Sequence, residues 1–166
     1  GQLVFVPLLE GSGCAPRLGR FGWKNQHSSL LSFSADAYLN EMGITNRLLP
    51  TDVTGVCDVV QDPEDVANDI DVFTQFMRAT KAPPRAFLTE ENDEEIKEGF
   101  NLFNEMPGAP DKQTCATCHV PSIRTADTGT TLGGGLIPVP ASLGCKIIHP
   151  FGDFLLHNVG TREDIV

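Results

Sequence analysis

A mostly α-helical domain with long loops is the fold this sequence predicts, and three observations carry the prediction. Apolar residues recur at helical spacing in three segments, and no segment alternates apolar and polar residues as a half-buried strand would. A stretch rich in Gly, Pro and Thr, from His119 to Pro140, shows neither period and reads as a long functional loop.

Residues 1–24 contain five glycines, two prolines and Cys14 without a sustained period, and read as an ordered loop or the tail of an upstream domain. From Ser28 to Asn40, Leu30, Leu31, Phe33 and Ala37 cluster at helical spacing, and Gly43 is placed to end that helix as a C-terminal cap. A second helix is expected from Asp62, with Asp62 as cap and Pro63 in the first turn, where a missing N–H costs nothing. Glu64 and Asp65 complement its dipole, Val66, Ile70, Phe73 and Met77 line one face, and Pro83 and Pro84 stop it. A third helix is expected to begin near Thr89 with acidic residues in its first turn. It carries Ile96, Phe100 and Phe103 on one face and ends before Pro107. Residues 153–158 can form a short turn. The sequence contains no repeat and no low-complexity tract.

At 166 residues the chain suits one domain with room for a core and a cofactor. Twelve Lys and Arg against 22 Asp and Glu give a formal net charge of −10, which argues against a nucleic-acid partner and leaves room for a basic redox partner or a cationic substrate. A solubilising surface is the plainer reading of that charge. No apolar run approaches the roughly 18 residues of a membrane helix, so no membrane span is expected. Because Gly1 is preceded by neither Met nor a leader, the expectation is that a signal peptide has been removed or that the chain is a piece of something longer.

The chemistry is concentrated at Cys115-Ala-Thr-Cys118-His119. Two thiols at this spacing can form thioethers with the vinyl groups of a haem, and the adjacent imidazole can ligate its iron, so the motif predicts one covalently attached haem c. A zinc site needs four ligands, and no second Cys or His pair at ligand spacing appears. A thioredoxin-like dithiol belongs beside a βαβ pattern that is also missing. Haem c is attached outside the cytoplasm as a rule, so a periplasmic or extracellular location is expected, where disulfides are permitted. Cys14, Cys57 and Cys145 remain, an odd number that allows at most one disulfide among them. The sixth iron ligand stays open: Met42, Met77 and Met106 offer thioethers, while His27, His149 and His157 offer imidazoles, His157 being the best of the three.

Four segments together resemble the dihaem oxidoreductase family, peroxidase-like or thiol-oxidising relatives of the bacterial dihaem cytochrome c peroxidases. They are Arg20-Phe21-Gly22-Trp23-Lys24, Glu41-Met42-Gly43-Ile44-Thr45, Gly99 to Phe103 leading into the haem motif, and Phe154-Leu155-Leu156-His157-Asn158-Val159-Gly160. The resemblance implies a cytochrome c-like helical haem domain at residues 25–166, with residues 1–24 as a loop or linker from an upstream haem domain. It implies that Trp23 relays electrons between two haems and that Glu41 is the acid–base group at the peroxidatic haem. It places His157 near the haem, serving its surroundings, and Gln26 resembles a glutamine that recurs beside the Trp segment.

The chain departs from the family in two ways. Many members have Met where Val159 stands, so the sixth ligand is His157, a Met, a residue beyond Val166, or none. Only one CxxCH is present, so the chain resembles the electron-transferring C-terminal half. A second haem is then expected in another domain or partner chain, and a cytochrome or cupredoxin-like protein as redox partner. The alternatives are a stand-alone monohaem electron-transfer cytochrome, or a subunit of a larger redox assembly, and a haem-based sensor or structural haem protein.

Overall fold

The computed structural model describes residues 1–11, 15–52, 59–83, 93–105, 114–132 and 137–158. Cys14, Cys57, Met106 and Val159 lie outside them, as do Thr89 and Pro107, the expected bounds of the third helix. The described residues contain three α-helices, α1 (Leu30–Met42), α2 (Asp69–Ala79) and α3 (Asp93–Asn104). They also contain a 3₁₀ turn at Cys115–Thr117 and six strands of two residues each. The strands pair antiparallel as β1 (Phe5–Val6) with β2 (Arg17–Leu18), β3 (Ile123–Arg124) with β6 (Ile147–Ile148), and β4 (Thr131–Leu132) with β5 (Ile137–Pro138).

The expectation of a mostly α-helical cytochrome c-like fold is therefore corrected. Among the described residues helix accounts for 31%, an ordinary share for a mixed domain, beside short antiparallel pairings and loop. The reason is physical: a strand announces itself by alternation over 4–8 residues, and a two-residue ladder is too short to carry that signal.

The chain divides into two compact units, Gln2–Pro83 with Asn158–Val166, and Gly1 with Pro84–His157. In the first, α1 packs on α2. Ser29 caps α1 by accepting from Ser32 N, and Gly43 ends it at φ 72°, a left-handed conformation that glycine adopts without steric cost. The expected cap of α2 is corrected too. That helix begins at Asp69, and Asp65 caps it from outside, accepting from Asp69 N at 2.7 Å and Ile70 N at 3.2 Å. Of its expected apolar face, Ile70 is fully buried, whereas Val66 is 83% exposed.

What α1 and α2 bury together is largely polar. Thr74 Oγ1 donates to Ile70 O, and its hydroxyl lies 3.0 Å from that of Ser34 on α1, while Asn46 Nδ2 donates to Ala35 O. Among the described residues the buried hydrophobic side chains are Ala35, Ile70 and Val139. In the second unit α3 packs on the 3₁₀ turn, and the β3–β6 pairing aligns the chain after His119 with the chain before Phe151. No helix among the described residues is long and apolar enough to cross a membrane.

Candidate haem-attachment site

The 3₁₀ turn sets the geometry of the CxxCH motif. Thr114 and Thr117 close a reciprocal capping box around it, and Cys118 N and His119 N both donate to Cys115 O. Cys115, Cys118 and His119 are thereby gathered on one short turn. Both cysteines are free thiols.

His119 is oriented from behind. Its Nδ1 lies 3.1 Å from the Phe151 carbonyl oxygen, which can only accept, so Nδ1 carries a proton and in the neutral ring Nε2 keeps its lone pair. This is the arrangement a metal-ligating imidazole needs: one nitrogen tied to the protein, the other free for the metal. Phe103 of α3 lies 6.3 Å from the His119 ring and 5.7 Å from that of Phe151, centroid to centroid. Phe151 has φ 50°, an unfavourable left-handed conformation for a bulky residue and a form of strain that clusters at functional sites. A matching bond runs the other way, His149 Nδ1 donating to Pro121 O at 3.1 Å. The segments flanking β3 and β6 thus hold each other through a histidine and a carbonyl in each direction.

His157 faces Cys118. Its Nδ1 is 3.6 Å from Cys118 Sγ, and its Nε2 is 2.8 Å from Asp153 Oδ2. Asp153 is itself fixed by Leu155 N, which donates to Oδ1 at 2.9 Å. Burial acts to raise the Asp153 carboxyl, but the hydrogen bonds from Leu155 and His157 outweigh it and hold the group below the usual carboxylate range. Asp153 and the Phe151 carbonyl went unrecognised in the sequence. An Asp four residues before a His was a legible signal, whereas a backbone carbonyl leaves none.

This donor set fits a c-type haem: two free thiols and an imidazole tied to the protein through Nδ1, on one short turn beside aromatic rings. Among the described residues no group of three or more His, Cys, Asp or Glu side chains could hold a metal ion by itself. A porphyrin needs only one such ligand on its proximal side.

The remaining candidates fall in the other unit or apart from this turn. Trp23 is 93% exposed, in the turn closed by the Phe21–His27 bridge, where Gly22 takes φ 82° and Gln26 Oε1 accepts from Lys24 N. Glu41 is exposed at the penultimate position of α1, and Met42 beside it is 54% exposed. His27 is buried, with Nδ1 3.0 Å from Ser32 Oγ and Nε2 3.3 Å from Asp36 Oδ2. Met77 is half-buried on α2. Cys145 is an exposed free thiol donating to Asp127, whose carboxyl is held low by that bond and by Arg124.

Comparison with protein families finds a match to the model described as "Di-haem oxidoreductase, putative peroxidase" over residues 51–164. The matched stretch takes in the CxxCH turn, Asp153 and His157, and leaves Trp23 and Glu41 outside. No curated protein and no solved structure matches the chain.

Proposed function

Because the chain belongs to the di-haem oxidoreductase family, we propose that it carries one haem c on Cys115, Cys118 and His119 and serves as the electron-transferring haem domain of a peroxidase-like or thiol-oxidising enzyme. The observation that carries this reading is the His119 imidazole, pinned through Nδ1 to the Phe151 carbonyl with Nε2 unengaged among the described residues, on the same turn as two free thiols. When bound, the haem supplies one-electron redox chemistry at iron.

The chain's own residues do the rest. Cys115 and Cys118 would anchor the haem, His119 Nε2 would ligate its iron, and the Phe151 carbonyl fixes the His119 tautomer and ring orientation. His157, with Nε2 held by Asp153 and Nδ1 facing Cys118, belongs to the haem surroundings. Trp23 and Glu41 take the roles the family resemblance implies, an inter-haem relay and an acid–base group at a second haem in another domain or chain. An indole left 93% exposed supports a place for Trp23 at such an interface, since large exposed aromatics mark contact sites. An exposed carboxylate at a helix end is able to move protons during O–O cleavage. The redox partner is then a cytochrome or cupredoxin-like protein, and the compartment the periplasm or cell exterior.

The test is the visible spectrum of ferric and ferrous protein with and without hydrogen peroxide. An open or exchangeable axial position that responds to peroxide supports the enzyme reading. A single low-spin haem indifferent to peroxide makes the chain an electron carrier, the reading that its single CxxCH favours.

A further inference from the structure

Beside the anchoring thiols lies a chain of contacts that haem ligation does not use: Leu155 N to Asp153 Oδ1, Asp153 Oδ2 to His157 Nε2, and His157 Nδ1 to Cys118 Sγ. Its direction follows for the neutral His157 ring. The Asp153 carboxylate can only accept, so His157 Nε2 carries a proton, and in the neutral ring Nδ1 is then an acceptor. At 3.6 Å the partner that can donate to it is the Cys118 S–H. Asp153 and His157 are both largely shielded, their side chains 20% and 26% exposed, so the pair is held in place. A base within hydrogen-bond reach of a thiol and itself oriented by a carboxylate is the arrangement that activates nucleophilic cysteines. Cys115 has no such partner among the described contacts of its side chain.

We infer that His157, oriented by Asp153, is the internal base that makes Cys118 reactive towards a haem vinyl group, so that the chain assists its own covalent haem attachment at one of its two thiols. This rests on the haem reading above. In the step, the Cys118 S–H bond breaks and its proton passes to His157 Nδ1, while Sγ bonds to the α-carbon of the vinyl group. The proton then ends on the β-carbon. The vinyl double bond is consumed, no electron is gained or lost, and His157 returns to its starting form. His157 touches the reacting sulfur, and Asp153 acts through it as a positioning residue.

Two measurements test this. In haem-free protein, iodoacetamide alkylation followed by peptide mass mapping reads the two thiols separately. Accessibility alone favours the exposed Cys115 over the half-buried Cys118. The inference expects the reverse order, with the Cys118 advantage collapsing in H157A and D153A, partly restored in D153N, whose amide oxygen still accepts from Nε2, and an unchanged Cys115 rate showing that the turn is intact. Cys118 slower than Cys115, or a Cys118 rate indifferent to His157, overturns it.

In cells equipped to mature c-type cytochromes, peptide mapping of the full chain should show both thioethers in the wild type. H157A should keep the Cys115 link and slow the Cys118 link on the order of 10²-fold, the scale of one positioned base. Both links forming as in the wild type overturns the inference and leaves the haem reading standing. No thioether at either cysteine in the wild type overturns the haem reading itself, and the inference with it.

Discussion

Replacing Glu41 by Gln should raise the stability of the chain and lower its peroxide chemistry, two effects of opposite sign from one lost charge. Glu41 is the penultimate residue of α1, and the last turn of that helix contains no basic residue. Gly43 N and Ile44 N already donate to Leu39 O and Tyr38 O, yet the helix end still presents the negative pole of its dipole to a negative carboxylate. An exposed charge of the unfavourable sign in a terminal turn costs roughly 0.3–1 kcal/mol at low ionic strength. In a chain of this size that corresponds to a gain of about 1–4 °C in Tm on neutralisation. The gain should shrink in about 1 M salt, where the screening length falls to roughly 3 Å.

Thermal unfolding followed by circular dichroism at low and high salt measures the first effect. Steady-state peroxide turnover of the dihaem assembly measures the second, where loss of a positioned acid–base group should cost at least about 10²-fold. A variant no more stable than the wild type at low salt would refute the dipole argument. Unchanged turnover would refute the catalytic assignment, leaving Glu41 a surface residue in an unfavourable place.

Three further outcomes follow from particular contacts. Asp65→Ala removes the carboxylate that caps α2 at two backbone N–H groups and should destabilise the chain by about 1–2 kcal/mol in urea unfolding, with Asp65→Asn milder. Trp23 is the only tryptophan and is almost fully exposed, so its fluorescence should be readily quenched by acrylamide in the chain alone and protected when a second haem domain docks; equal quenching in both states would remove it from the interface. Asp153 has its carboxyl held below the ordinary range, so its contribution to stability is complete above that range and is lost as the pH falls through the depressed folded value. Carboxyl-carbon NMR titration should show the low midpoint, and H157A should move it back up towards the ordinary value.

How far the sequence was legible depended on the length of each signal. α1 is an extended segment with a capping serine at one end and a glycine at the other, and it lies within two residues of where periodicity put it. α2 was misplaced at its start because Asp62-Pro63 has the composition of a helix entry, while the working cap, Asp65, reaches in from four and five residues away. The hairpins were illegible because two-residue ladders have no alternation to detect. At the site, the motif itself was plain, since its thiols and imidazole are side chains at fixed spacing. The group that orients His119 is a main-chain carbonyl 32 residues away, and nothing in the identity of Phe151 encodes that contact. Asp153 lay within reach of a reader looking for a second residue to hold His157, at a spacing of four.

The central claim, a haem held by Cys115, Cys118 and His119, is tested most directly by acid–acetone extraction of protein matured with a c-type assembly apparatus, followed by a pyridine haemochrome assay on the pellet. One haem per chain should stay with the precipitated protein, and it should be lost in the Cys115→Ala, Cys118→Ala double variant. Haem that extracts freely from the wild type, or a pellet without haem, would contradict the account.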